Sequence, residues 1–317
     1  MTEQKDAHTM ACRMLDAAIL TYDIVVTEQG YPAWQTTAAT PQLLANLGLP
    51  DETPAWFATG DDKINAGFVG VTSDGLVVLG IRGTLPPGTG DPSAWIMDWL
   101  NDFKAGPTDW KLPGGDKIGQ IETGFAEAAR SLWRVAETPL KAAVAKAPKP
   151  TRIVIAGHSK GAALVYPIAS LVQTLYPGAI EGIYAYATPM TADQAFASWF
   201  ETAGLTAKTT RYQNKDDLVP FLPVWPKFDI WEKVKVKLAA TADAGFLSDE
   251  YVLIGSLVYL AGTSSICEEI TGPAAQTQAD TDIAVALAEL DLAGIADAHS
   301  ATGRYHWCIC GADLPTS

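Results

Sequence analysis

Apolar positions along this chain alternate between two periods, one of about 3.6 residues and one of 2. Residues 8–26 carry a helical stripe through Met10, Met14, Ala17, Ala18 and Thr21. Residues 31–54, broken by prolines, predict loops and one short helix. Two β-rich runs, 66–72 and 75–81, flank Ser73-Asp74-Gly75, and Asp-Gly between such runs predicts a hairpin. Residues 85–92 are rich in Gly and Pro and read as a loop; Asp91 and Pro92 suit an N-cap and a first helical residue, opening a helix to about Phe103. Beyond it the pattern predicts a helix over 127–146 with a break near Pro139, then a strand over 152–156 and a helix over 160–175. A strand over 182–187, a helix over 192–203 and a strand over 207–212 follow. Strands alternating with helices predict a mostly parallel sheet covered on both faces. With no repeat, low-complexity tract or long linker, 1–317 reads as a single α/β domain.

One segment carries chemistry. Arg152-Ile153-Val154-Ile155-Ala156-Gly157-His158-Ser159-Lys160-Gly161-Ala162-Ala163-Leu164 reads as buried strand, G-x-S-x-G, then helix. That is the pattern of a nucleophile elbow, a sharp strand-to-helix turn that lifts a serine hydroxyl clear of the sheet. Gly157 and Gly161 omit side chains that would obstruct the turn. Ser159 would sit at a helix N-terminus, where free N–H groups and the helix dipole favour developing negative charge, and the Lys160 N–H would be one oxyanion donor. The bland alternative is a structural turn serine.

Composition narrows the function further. At 317 residues and 48% hydrophobic, the chain is long and apolar enough to bury a sizeable core. Its net charge of −14 argues against nucleic acid and against docking on anionic lipid by charge. Cys12, Cys267, Cys308 and Cys310 are too few for a disulfide-dense framework. In His306-Trp307-Cys308-Ile309-Cys310 three metal-capable side chains alternate and would share a face on a strand, but no matching C-x-x-C exists elsewhere, so no metal is expected. The polar start lacks the two-part pattern of a secretory signal, which predicts a cytoplasmic protein as written, or a secreted one if this is a mature form. The apolar stretch 251–263 is too short and too Gly/Ser-broken to span a bilayer.

A nucleophilic serine needs a base within hydrogen-bond reach and an acid to orient that base. Only His299 and His306 follow Ser159. Asp216 and Asp217 stand side by side after a predicted strand, and Asp297 lies close to His299.

In order, Val77-Val78-Leu79-Gly80-Ile81-Arg82-Gly83-Thr84, Asp98-Trp99-Leu100-Asn101-Asp102-Phe103 and Glu122-Thr123-Gly124-Phe125 precede the elbow. After it come Tyr184-Ala185-Tyr186-Ala187-Thr188-Pro189, Asn214-Lys215-Asp216-Asp217-Leu218-Val219-Pro220 and His299-Ser300. Together these resemble the class 3 lipases of the α/β-hydrolase superfamily, the group containing the fungal triacylglycerol lipases, over residues 17–305. The sequence departs from the commonest pattern at three places: Lys160 replaces the usual Leu, the loop after Thr84 is longer, and no histidine precedes the acid. The resemblance implies an α/β-hydrolase fold with a lid. The resemblance favours Asp217, which matches the family's Asp-x-Val-Pro, over Asp216 and Asp297, and its His-Ser near the C-terminus favours His299 as the base. Thr84 would be the second oxyanion donor.

Trp95, Trp99 and Phe103 recur at i, i+4, i+8 behind Gly88 and Gly90, with Ile96 and Leu100 widening the face. Such a stripe is either core or, as the resemblance implies, the apolar face of a lid over about 85–104. Residues 225–238, with Trp231 and the alternating Lys233, Lys235 and Lys237, predict a strand with a solvated lysine face. The expectation is a serine carboxylic-ester hydrolase, a lipase acting on acylglycerols or related esters. It needs no cofactor and touches a lipid–water interface transiently. Phospholipase A1, small-ester esterase and a non-catalytic lipid binder of the same fold are the alternatives.

Overall fold

A computed structural model describes residues 9–50, 54–59, 65–85, 106–222, 251–263, 266–289, 294, 297–311 and 314. The chain begins with α1 (Met10–Leu20), β1 (Ile24–Val26), β2 (Pro32–Trp34) and α2 (Thr40–Leu47). β3 (Ala55–Thr59), β4 (Asn65–Val71), β5 (Leu76–Ile81), β6 (Pro107–Lys111) and β7 (Lys117–Glu122) follow. Next come α3 (Thr123–Lys146), β8 (Arg152–His158), α4 (Lys160–Leu175), β9 (Ile180–Tyr186), β10 (Ala192–Asp193), α5 (Gln194–Thr202) and β11 (Thr209–Asn214). The last elements are β12 (Tyr251–Val252), β13 (Ser256–Thr263), β14 (Ile266–Thr271), α6 (Pro273–Glu289) and α7 (His306–Cys310).

The central sheet has eight strands in the order β14-β13-β11-β9-β8-β5-β4-β3. β5, β8, β9, β11 and β13 run parallel, while β3, β4 and β14 add antiparallel edges. β8 shows why the sheet is sandwiched. Ile153 and Ile155 face a core formed with α3, α4 and α5, whereas Val154 and Ala156 face one formed with α1, α2 and α7. A strand buried on both faces requires apolar residues at every position, which is the run read from the sequence. A smaller antiparallel sheet, β12-β10-β7-β6, and the β1–β2 ribbon complete the described strands. No described helix is long and apolar enough to cross a membrane.

Three expectations change. The first helix stops at Leu20: the β-branched run Ile24-Val25-Val26 pairs with Pro32–Trp34 instead, after a turn in which the Thr21 hydroxyl donates to the Ala18 carbonyl at 2.5 Å. α3 starts earlier, with Glu122 capping the Phe125 N–H at 2.8 Å, and runs unbroken through Pro139. Pro139 forfeits one helical N–H, but Leu132, Ala136, Leu140 and Ala143 anchor the helix on both sides of it. His306-Trp307-Cys308-Ile309-Cys310 is a helical turn, not a strand. Its cysteines bridge in two directions, Cys308 to Cys267 and Cys310 to Cys12. The sequence reading passed over β3 and the β6–β7 hairpin; residues 225–238 and the helix expected from Asp91 lie outside the described residues.

The elbow is held by close approach. A Cβ at Gly161 would lie 2.2 Å from the Ile81 carbonyl oxygen, and one at Gly157 2.4 Å from the Gly161 oxygen. Gly161→Ala is therefore expected to push α4 off β5 and to destabilise the fold by roughly 2 kcal/mol. Urea unfolding measures this, and an unchanged midpoint would contradict the packing account.

Candidate active site

Ser159 occupies the turn between β8 and α4 with φ 60° and ψ −129°, a region that non-glycine residues adopt only under constraint. The constraint is visible: its N–H donates to Tyr186 O at 2.9 Å and its carbonyl accepts from the Ala163 N–H at 3.2 Å. Among the described residues, the other non-glycine residues with positive φ are Ala187 and Asp216. They follow the C-terminal ends of β9 and β11, so the strained backbone gathers at one end of the parallel strands, where open α/β sheets hold their sites.

Three side chains meet there. His299 Nε2 lies 2.9 Å from Ser159 Oγ. His299 Nδ1 lies 3.0 and 3.1 Å from the two oxygens of Asp217. An ionised carboxylate only accepts, so Nδ1 carries the proton and Nε2 is left as the acceptor for the serine hydroxyl. Asp217 is fully buried, and its Oδ1 also accepts from the Val219 N–H at 3.0 Å. Tyr305 donates its hydroxyl to Asp217 Oδ2 at 2.7 Å and accepts from the Asn214 N–H at 2.8 Å. Burial and the neighbouring Asp217 carboxylate push the Tyr305 phenol well above its ordinary pKa, so it stays a donor.

A second chain of bonds lies behind the first. The carbonyl of His299 accepts from His158 Nε2 at 2.9 Å, and Tyr22 OH lies 2.9 Å from His158 Nδ1. The carbonyl of Ala298 accepts from Asn214 Nδ2 at 2.9 Å. Arg82, buried at the end of β5, donates to the Ile24 carbonyl, and desolvation lowers its guanidinium to about 10.

Thr84 is half-buried two residues past Arg82. A Cβ on its neighbour Gly83 would fall 3.2 Å from Ser159 Cβ, so this loop packs directly on the nucleophile turn. Lys160 is the first residue of α4. His306 lies elsewhere: its Nε2 is 3.1 Å from Asp16 Oδ1, tying α7 to α1, and Asn46 donates to the other Asp16 oxygen at 2.9 Å. Cys12, Asp16, His306 and Cys310 bring four potential ligand atoms within 4.8 Å of one another, but the two sulfurs are bonded together. Trp95, Trp99 and Phe103 lie outside the described residues. The sequence reading gave no role to Tyr22, His158 or Asn214, whose contacts span 84–141 residues and leave no local periodic signal.

Residues 78–227 match the family described as Lipase (class 3). No curated protein matches the chain. Among solved structures, the mono- and diacylglycerol lipase of Aspergillus oryzae is 22% identical with a TM-score of 0.56, over 95% of this chain and 99% of that one. A structure described as a fungal lipase is 21% identical with a TM-score of 0.59, over 95% and 96%. The triacylglyceride lipase of Rhizomucor miehei is 17% identical with a TM-score of 0.57, over 82% and 81%. At these identities the structures establish the shared fold, the α/β-hydrolase fold.

Tyr305→Phe leaves the buried Asn214 N–H without its acceptor and removes one of the two donors at Asp217 Oδ2, where His299 Nδ1 remains. The expected loss is about 1–3 kcal/mol of stability, read by urea unfolding; a wild-type midpoint would mean the bond carries no weight.

Proposed function

We propose, for a chain that belongs to the class 3 lipase family and is a serine ester hydrolase, that it is a lipase cleaving acylglycerols or related lipid esters through Ser159, His299 and Asp217. The observation that carries this reading is the unbroken hydrogen-bonded chain from Ser159 Oγ through His299 to Asp217 at an elbow. Ser159 Oγ attacks the ester carbonyl while His299 Nε2 takes its proton. The Lys160 N–H and Thr84 receive the oxyanion, each donor contributing on the order of 3 kcal/mol to the barrier reduction. His299 then passes the proton to the leaving alcohol, and the acyl-enzyme remains. Water, deprotonated by His299, releases the fatty acid. Asp217, oriented by Tyr305, stabilises the imidazolium formed in both halves.

The chemistry uses no cofactor. The two disulfides favour an oxidising compartment, so we place the working protein outside the reducing cytosol. Ser159→Ala and His299→Ala should each lower kcat/KM on ester substrates by roughly four powers of ten. His306→Ala should lower stability by taking the imidazole partner from the buried Asp16 carboxyl, yet keep most of the turnover. Loss of activity in His306→Ala with retention in His299→Ala would transfer the base. A panel of triacylglycerols, phospholipids and short soluble esters separates lipase from phospholipase and esterase.

We further propose that residues 85–104 form a lid presenting Trp95, Trp99 and Phe103. Its support is the apolar i, i+4, i+8 spacing of those three residues behind a loop with Gly88 and Gly90 that can act as a hinge. Opening a few hundred Å² of apolar surface in water costs several kcal/mol at about 25 cal/mol per Å², a cost that a lipid–water interface removes. Hydrolysis of long-chain esters should rise sharply as substrate aggregates, and Trp99→Ser should blunt that rise more than it slows a soluble short ester. A rate that follows monomer concentration smoothly through the solubility limit would rule the lid out.

A further inference from the structure

His158, the residue before the nucleophile, takes no part in the proton relay, yet it is almost fully buried beside it. Its ring centroid lies 4.8 Å from that of His299, and both of its nitrogens are committed. Nε2 faces the His299 carbonyl, which can only accept, so Nε2 bears the hydrogen. Nδ1 is then a lone pair, and Tyr22 OH must donate to it. One tautomer alone satisfies both partners.

This matters because of what is held. The catalytic base hangs from a segment far along the chain. Its peptide is pinned on both sides by side chains from the two strands that carry the other triad members. Asn214, at the end of β11 ahead of Asp217, donates to the Ala298 carbonyl; His158, at the end of β8 ahead of Ser159, donates to the His299 carbonyl. The spacing of acid, base and nucleophile is thereby referred to the rigid sheet, not to the loop.

We propose that His158 is a positioning residue, locked by Tyr22 as a neutral Nε2–H imidazole, that sets the distance between His299 and Ser159 through the His299 main chain. This rests on the triad reading above. Burial and the adjacent His299 ring hold the His158 imidazole well below its ordinary pKa, so it stays neutral while His299 takes and returns a proton. A second imidazolium at this spacing would oppose the charge that His299 acquires during turnover. A bond made to a carbonyl also leaves His299's own nitrogens undisturbed.

The test reads the lock and its consequence separately. Long-range proton–nitrogen NMR on the intact protein with labelled histidine should show His158 neutral and protonated on Nε2 at neutral pH, with its Nδ1 resonance moved by Tyr22→Phe. In steady-state kinetics on a soluble ester, His158→Leu should lower kcat about tenfold or more with KM within about twofold, since a displaced base slows chemistry without touching substrate. His158→Gln, whose amide donates to the same carbonyl and accepts from Tyr22, should recover most of that loss. An Nδ1–H tautomer, an imidazolium at neutral pH, or a folded His158→Leu with wild-type kcat would overturn the proposal. If His158→Leu does not fold, the NMR tautomer and a His158→Gln enzyme of near wild-type kcat carry the decision. Failure of the triad reading would show differently, as turnover surviving in Ser159→Ala whatever the His158 tautomer.

Discussion

The active end of this molecule depends on holding residues 297–311 against the C-terminal ends of β8 and β11. That segment supplies His299, and its backbone is irregular, with a non-helical Gly303 inside its first turn. It is fastened from several directions. Asn214 and His158 hold two successive carbonyls, Tyr305 joins Asp217, His306 pairs with Asp16 in α1, and Cys308 and Cys310 are bonded to β14 and α1. A cross-link between positions 298 residues apart removes a large share of unfolded-state freedom, worth on the order of 5–6 kcal/mol in a chain-entropy account. The Cys12–Cys310 bond joins the first described helix to the last, so the base is fixed by the ends of the chain as well as by the sheet.

The other half of the site is built by exclusion. Gly157, Gly161 and Gly83 remove side chains where β5, β8 and α4 converge, and the space gained lets the Ser159 turn sit directly on the strand that leads to Thr84. Ser159 pays for this with a backbone conformation disfavoured for its type, stabilised by hydrogen bonds to Tyr186 and Ala163. The nucleophile and one proposed oxyanion donor thus belong to a single packing unit. The acid and base belong to the fastened C-terminal segment and its neighbour β11.

The sequence made the first unit legible and most of the second illegible. The elbow, the 66–81 hairpin and the alternation of β8, α4, β9, α5 and β11 are local patterns, set by period and by glycine, and the structure keeps them within a few residues. β3 and the β6–β7 hairpin escaped notice because Ala55–Thr59 and Pro107–Lys111 interleave polar and apolar residues weakly, and tertiary contact decides their state. Pro139 was over-read, because buried residues on both sides outweigh one lost hydrogen bond. His299 and His306 could not be separated by spacing alone. Family likeness favoured His299, and the fold sends His306 to Asp16 across 290 residues. The pairing of Cys308 and Cys310 to different partners was equally beyond local reading, because two residues apart on a helical turn point different ways.

The central claim is that Ser159 is an activated nucleophile whose activation comes from His299. The most direct measurement is the rate and location of covalent labelling by a fluorophosphonate, followed by peptide mass spectrometry. The account predicts a single adduct on Ser159 in the wild-type protein and labelling at least about a hundredfold slower in His299→Ala, with His306→Ala labelling at close to the wild-type rate. An adduct on a different residue, or equal labelling rates in wild type and His299→Ala, would contradict it.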